Sequence, residues 1–486
     1  MNNLRSEVVG VDVQIPLLDG SIRTYINFDN ASTTPALRRV VDKVVEFIPW
    51  YSSIQRGSGY KSRVATNAHE SARRAAGEFV GYDPERHVVI FGKNASEAMN
   101  KLSSRLDIPD DAIIIISGME HHSNDLPWRG KGRTLFAPVN ASDGVLDLDR
   151  LRAMVSENRD KLFLVCVTGA SNFTGNLNRL HEIAEMTHAA GAYLAVDGAQ
   201  LAPHRQVRMG KPGEPDSIDF LGYAAHKMYA PFGTGVLVAR RDMLKRAVPP
   251  EHPGGGTIKL VTHGEVLWAD DPEIDEAGSP NVVGAIALAE AISFFRERGF
   301  GEIERIENGL ARKLLRALAK MPQVEVYGLK DPENFADRLA IVSFNVKDVP
   351  HALVAAILGY EYGIGIRSGN FCAHPYVNFL LDVVGEQELS LMERMRCNDR
   401  SCVPGAVRVA FGFYNVEEEV DCLIEAVERI VAGEYSKCYA LNTKSGEYKP
   451  EGFVDDFSRS FALRPPTHAV VEVPVSRVEV RVGPSE

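Results

Sequence analysis

The sequence predicts an α/β protein: a large first domain with a mainly parallel, helix-covered sheet, then a smaller α+β domain. Three observations carry this. The chain has 486 residues, too many for one simple core, so two domains and a tail are expected. Up to about residue 285, short apolar runs alternate with amphipathic stretches, as in a sheet whose crossovers are helices. Beyond that point the texture changes to long helices and scattered short strands.

Val88–Phe91, Ile113–Ile116, Leu162–Val167, Tyr193–Val196 and Val236–Ala239 read as buried strands. Each is bounded by turn residues and is continuous rather than alternating, the pattern of a strand covered on both faces. Asn178–Ala190 places Leu180, Ile183, Ala184 and Met186 at near-helical spacing and stops before Gly191. Ser217–Tyr223 is strand-like, and Pro231 opens a turn into the next strand. Later helices are expected at Ala285–Arg298, Ile303–Lys320 and Val416–Ala432. Strands are expected at Val324–Tyr327, Ala340–Val346 and Val407–Phe411, with a glycine-bracketed mobile loop at 363–375. Residues 435–486 carry Arg464-Pro465-Pro466 and an alternating Val-Glu-Val-Pro-Val at 471–475, which reads as an added strand or a partly ordered extension.

Composition narrows the partners. Hydrophobic residues make up 45% and charged residues 24%, ordinary for a soluble globular chain. Lys and Arg number 54 against 65 Asp and Glu, a net −11, which argues against nucleic acid or an anionic membrane as the main partner. No apolar stretch approaches the roughly 18–20 residues of a membrane span, and the N-terminus lacks a secretory apolar region. These features point to a cytoplasmic protein, and six cysteines in this length make no disulfide framework.

The chemistry-bearing residues sit at strand ends. Val-Asp-Gly-Ala-Gln at 196–200 ends one apolar run, and Ala-His-Lys-Met-Tyr at 225–229 follows a later one. The Lys227 amine can form an imine with an aldehyde. The Asp197 carboxylate can sit against a pyridine nitrogen and keep it protonated. One protein fold holds pyridoxal phosphate in this way. Lysine is ordinarily a surface residue, but here it lies on a tight connection at the sheet's edge, where α/β ligands bind. Gln200 adds a donor nearby. His121, in Met-Glu-His-His-Ser-Asn at 119–124, can stack on a flat ring and relay protons; standing alone it would read as a satisfied structural histidine. Cys372 lies in Ile-Arg-Ser-Gly-Asn-Phe-Cys-Ala-His-Pro at 366–375, with Arg367 and His374 expected to supply positive character that favours its thiolate. Arg408, flanked by Val407 and Val409, can clamp a carboxylate with two parallel hydrogen bonds, or be an exposed strand arginine. Ser96 opens a helix after the run 88–91, as a phosphate contact or a plain N-cap. Cys397 and Cys402 have spacing C-x4-C with no second pair, weak for zinc, and are read as free thiols.

Taken together these motifs resemble the class V aminotransferase family of fold-type I pyridoxal-phosphate enzymes, and within it the SufS/CsdA-type cysteine desulfurases. The resemblance runs from about Asn27 to Ala432. Its further anchors are Phe-Asp-Asn-Ala-Ser-Thr-Thr-Pro at 28–35, Gln-Arg-Gly at 55–57, Pro127-Trp128, Ser171-Asn172, Gly254-Gly255-Gly256 and Glu-Ala-Gly-Ser-Pro-Asn at 276–281. It implies a seven-stranded, mainly parallel sheet. It divides the chain into an N-terminal arm (1–26), a large cofactor-binding domain (27–285), a small domain with the cysteine loop (286–434) and an extension (435–486).

The resemblance also implies roles. Lys227 carries the cofactor, Asp197 partners its ring nitrogen, His121 stacks, and Gln200 and Asn172 contact the ring oxygen. Ala95, Ser96 and His226 lie at the phosphate, and Ser279 reaches the phosphate of a neighbouring subunit, hence a homodimer. Arg408, Arg367 and Asn172 take the substrate carboxylate, and Cys372 accepts sulfur. The implied reaction moves sulfur from L-cysteine to Cys372 and releases alanine, with a sulfur-acceptor protein as a further partner and no metal. The alternatives are another class V chemistry (selenocysteine lyase, C–S lyase or aminotransferase) and a non-catalytic sulfur-carrier scaffold. The chain departs from the family pattern at several points. Asn94-Ala95-Ser96 replaces Gly-Thr-Thr, and Ala224-Ala225 replaces Ser-Gly, leaving the phosphate end two hydroxyls short, with Lys93 or Asn94 as the expected compensation. Asn370-Phe371 stands where the family has His-His, and segments 394–405 and 435–486 have no counterpart.

Overall fold

Residues of the inner strands of the large domain alternate between two buried faces, which is why their sequences are apolar without a break. The structure, a computed structural model, describes residues 4–54, 57–245 and 249–463. Seven strands form the main sheet: β1 (His87–Gly92), β2 (Ile113–Ser117), β3 (Arg133–Ala137), β4 (Leu162–Thr168), β5 (Tyr193–Asp197), β6 (Phe220–Ala224) and β7 (Gly235–Arg240). Their order is β1-β7-β6-β5-β4-β2-β3. Only β7 runs against its neighbours, and the rest pair in parallel. Val89, Ile115, Val165, Val196 and Leu221 face one core with Ala72, Ala76, Ala287 and Ala291 of helices Tyr60–Phe79 and Val282–Arg298. Val88, Ile114, Leu164, Ala195 and Phe220 face another, with Met99 and Leu102 of helix Ala95–Arg105 and Trp128. Burying a side chain of this size contributes about 1.5–3 kcal/mol, so neither face can be turned to water.

A second, antiparallel sheet holds β8 (Val324–Tyr327), β9 (Ile341–Val346), β10 (Arg367–Gly369) and β11 (Ala406–Ala410) in the order β8-β9-β11-β10. Its core takes Leu310 and Leu314 from helix Phe300–Leu318, Val354 and Ile357 from His351–Tyr362, and Leu423 and Val427 from Glu417–Val431. Phe28, far away in sequence, belongs to the same core. Ile26–Asn27 pairs in parallel with Ile364–Gly365.

Several expected boundaries move, each for a local reason. Asn178 is not helical: its side chain donates to the Thr168 carbonyl at 2.8 Å, and the helix runs Leu180–Ala189. Helix Val282–Arg298 starts three residues before the expected Ala285, because the Asn281 side chain caps it by accepting from Gly284 N. The next helix is Phe300–Leu318 rather than 303–320. The strand expected at Ser217 begins at Phe220, since Ser217 Oγ is turned back onto the Glu214 carbonyl. The stretch 363–375 is not a free loop: Ile364–Gly365 and β10 are strands, and His374–Leu380 is a helix. Ile364–Gly365 finds its partner at Ile26–Asn27, far back in the sequence, and β10 finds its own at β11. A Cβ at Gly365 would overlap the Tyr25 hydroxyl. Segment 394–405 begins in the last turn of helix Glu386–Arg396, none of whose residues is buried. Of the extension, Tyr439–Asn442 and Glu447–Pro450 form a hairpin held by Tyr439 OH to Glu361 (2.9 Å). The motifs at 464–466 and 471–475 lie outside the described residues. No described helix is long and apolar enough to cross a membrane.

Candidate active site

Strand register gathers the site. Thr168 of β4 lies beside Asp197 of β5, which lies beside Gly222 of β6. Gly235 of β7 sits between Ala224 of β6 and Gly92 of β1. The carboxyl ends of these parallel strands therefore open on one edge, as α/β ligand sites do. From that edge emerge the turn bearing His121 and Ser123, the loop of Asn172, the turn of Asp197–Gln200, and the short turn Ala225–Lys227. Helix Ala95–Arg105 enters by its N-terminus, and β11 closes over them with Arg408. Together they line a cavity of about 250 Å³ that holds Ala95, Ser96, His121, Asn172, Asp197, Gln200, His226, Lys227, Arg367, Cys372 and Arg408. Ser279 is the exception. It lies exposed in a separate groove with Tyr51, Ser52 and Gly256.

Burial sets the charges. Lys227 is pushed down from 10.5 to about 8 by desolvation, which Asp197 only partly offsets. Among the described residues no carboxylate lies within ion-pair distance of its amine. Burial raises the Asp197 carboxyl, and a hydrogen bond from Ala199 N (2.9 Å) works against that rise. His121 falls to about 3 through desolvation and then the nearby Lys227. Its Nδ1 accepts from Ser123 N at 3.1 Å, so the neutral ring carries its proton on Nε2. Desolvation and Lys227 bring His226 down to about 4. Behind this layer, buried Glu120 accepts from Asn124 Nδ2 (2.7 Å) and Thr168 N (2.6 Å) and braces the turn that carries His121.

Arg408 is buried, not an exposed strand residue. It sits directly opposite Arg367 in the β10–β11 register, a like-charge pairing that destabilises unless an anion joins it. Asp29 supplies one, at 2.9 Å from Arg408 Nη2 and 3.6 Å from Arg367 Nη1. Arg408 Nη2 also donates to Ser32 Oγ and Nη1 to the Asn172 carbonyl, while Nε has no partner. The guanidinium lies over the Phe371 ring at 4.8 Å. Phe371 in turn stacks on Phe173.

The cysteine turn is held by specific contacts. Phe371 and Cys372 both adopt the left-handed conformation, φ 51° and 56°, which non-glycine residues enter only where surrounding contacts hold them. Those contacts are Asn172 Nδ2 to the Phe371 carbonyl (2.6 Å) and His122 N to the Cys372 carbonyl (2.7 Å). The result is an exposed thiol on a fixed backbone. Its expected cationic neighbour His374 is not one: burial lowers His374, and burial and His374 together lower His122. The positive charges that couple to the thiol are Lys227 and Arg408. Ser96 is not the helix cap either, because Asn94 accepts from Glu97 N and fills that place. Cys397 and Cys402 are exposed free thiols, and no metal-binding group occurs among the described residues.

The sequence reading gave no role to Asp29, Ser32, Ser123 or Glu120. Asp29 and Ser32 stand in the quoted stretch 28–35, and Ser123 and Glu120 flank His121, so adjacency to a motif was the available signal.

Comparison with known proteins gives the family. The aminotransferase class-V family model matches residues 26–423. The chain belongs to the class V aminotransferase family. Members of that family are pyridoxal-phosphate enzymes. Among curated relatives of this class V chain is a cysteine desulfurase of Haloferax volcanii, 31% identical over 86% of this chain and 93% of the relative. Another, from Dickeya dadantii, is 31% identical over 86% and 96%. Among solved structures, the apo cysteine desulfurase of Thermococcus onnurineus aligns with TM-score 0.72 and 30% identity, covering 84% of this chain and 95% of that one. The Escherichia coli cysteine desulfurase CsdA aligns with TM-score 0.71 and 25% identity, covering 88% and 98%.

Proposed function

We propose that this chain is a pyridoxal-phosphate-dependent cysteine desulfurase. The observation that carries the proposal is one cavity lined by a desolvated lysine, an arginine pair and an exposed cysteine on a pinned turn. The residues present fit the cofactor. Asn172 Oδ1, Gln200 Oε1 and Arg408 Nε are buried with no partner, and all three side chains line that cavity. A buried polar atom left unpaired costs about 1–3 kcal/mol, so such a group is expected to meet a ligand. Asp197 would hold the ring nitrogen. The free amide oxygens of Asn172 and Gln200 would accept from the ring hydroxyl, since their amide donors already go to the Phe371 and Ala31 carbonyls. His121 would cover the ring face, and Ser96 with His226 would hold the phosphate. When bound, pyridoxal phosphate supplies an aldehyde carbon for covalent capture and a ring that withdraws electrons from the substrate Cα.

The chain's own residues divide the rest of the work. Arg408 and Arg367 bind the α-carboxylate of L-cysteine, completing the charge balance that Asp29 alone leaves one anion short. Lys227, readily neutral near pH 8, takes the Cα proton. Cys372 Sγ, as thiolate beside Lys227 and Arg408, attacks the substrate sulfur. The new S–S bond makes a persulfide on Cys372, and the electron pair of the broken C–S bond stays with the substrate carbon. That carbon, Cβ, takes up one proton, Lys227 returns to Cα the proton it removed, and alanine leaves. A thiol or an acceptor protein then removes the sulfur.

Purified protein given L-cysteine and a thiol should release alanine and sulfide in equal amounts. Cys372→Ala should keep the cofactor colour and lose both products. Undiminished alanine from that variant would move the assignment to another class V chemistry. The exposed Ser279, remote from the cavity of its own chain, supports a homodimer in which it serves the partner's phosphate. Light scattering at twice the chain's mass, and weaker cofactor binding by Ser279→Ala, would bear on that.

A further inference from the structure

The end of the cavity that would take a phosphate is built from the N-terminus of helix Ala95–Arg105, whose first-turn amides have no intrahelical partner. Of the two expected compensating residues, Asn94 lines the cavity, with its Oδ1 taken by the cap and its Nδ2 left as a donor. Lys93 is exposed and does not line the cavity. Ala95 and Ala224, where the family pattern has hydroxyls, instead pack with Ala199 as a small apolar cluster. The hydroxyl comes from a different segment. Ser123 Oγ lies 2.5 Å from Ser96 Oγ, and both side chains line the same cavity. The unpartnered, buried amide oxygens of Gln200 and Asn172 mark that cavity independently as a ligand site.

We propose that Ser123 is the second hydroxyl of the phosphate cradle, acting as a pair with Ser96. The inference rests on the cofactor reading above. A phosphate offers only acceptors, and each serine hydroxyl can rotate its single proton toward one. The two groups that now share one hydrogen bond would then each donate to the anion. The Ser123 amide meanwhile holds His121 Nδ1, so one residue fixes both the phosphate and the ring that covers the cofactor. Changing its side chain leaves that amide in place.

The test titrates cofactor-free wild type, Ser123→Ala, Ser123→Thr and Ser96→Ala with pyridoxal phosphate and, separately, with pyridoxal, following visible absorbance. A lost hydrogen bond to a charged group should weaken pyridoxal phosphate about 10-fold or more in Ser123→Ala and in Ser96→Ala. Pyridoxal, which has no phosphate, should bind all four proteins alike, and Ser123→Thr should stay near wild type. Unchanged pyridoxal phosphate affinity in Ser123→Ala would overturn the inference while leaving the cofactor reading intact. Equal loss of both ligands would also overturn it, since that is the mark of a disturbed turn. Wild type that binds neither compound would overturn the cofactor reading and this inference together.

Discussion

Lys227 should destabilise the cofactor-free fold, and by an amount that depends on pH in a definite direction. The perturbation is Lys227→Met, close in size and without charge. The fall of the amine from 10.5 to about 8 is a penalty of about 3 kcal/mol at 1.36 kcal/mol per unit. Below pH 8 the amine is protonated folded and unfolded, and the penalty is full. Between pH 8 and 10.5 only the unfolded chain holds the proton, so stability rises with pH; above 10.5 the amine is neutral in both states. The variant should therefore be more stable than wild type by about 3 kcal/mol at pH 7 and by only about 1 kcal/mol at pH 9.5. With about 2.1 cal/mol/K of unfolding entropy per residue, a chain this long melting in one step would gain about 3 °C at pH 7 and about 1 °C at pH 9.5. The assay is thermal unfolding of both proteins, stripped of cofactor, followed by circular dichroism at the two pH values. A gap that does not change with pH, or a variant less stable than wild type at pH 7, would refute the claim that burial depresses this amine.

Two further outcomes follow from the same structure. Glu276 accepts from Arg73 Nη1 (2.6 Å), Arg73 Nη2 (2.9 Å) and Phe91 N (2.6 Å), all buried; Glu276→Ala should cost about 3–5 kcal/mol in urea unfolding and Glu276→Gln clearly less, since Gln still accepts from Phe91. His121, held near 3 by desolvation and Lys227, is neutral across the working range, so His121→Gln should lower the plateau of the kcat/KM profile without moving either limb between pH 5 and 9; a limb that vanishes in the variant would assign that titration to His121 after all.

The site was legible where its signal was local. Asp197 ends a continuous apolar run, and Lys227 sits on the short turn after another; burial on both sheet faces writes such runs into consecutive residues. Cys372 stood out because its glycine-bracketed, polar setting differs from that of a core cysteine. The same local rule misled at 363–375. Glycines there permit close approach to Tyr25 and the β10–β11 pairing rather than an unpaired loop, and the partners that decide this are Ile26, Asn27 and Ala406.

By itself the sequence determined six of the seven strands of the main sheet, missing the half-exposed edge strand Arg133–Ala137. It also determined that those six are covered on both faces, and which side chains at their ends carry chemistry. Periodicity and composition are properties of neighbouring residues, so they survive without a fold. Only the tertiary structure decided that Arg408 faces Arg367 with Asp29 between them, that Ser123 meets Ser96, and that His122 and Asn172 clamp the turn of Cys372. Each of these joins segments brought together by strand order and register. Register is set by packing of whole sheets against helices, and no short stretch of sequence encodes it.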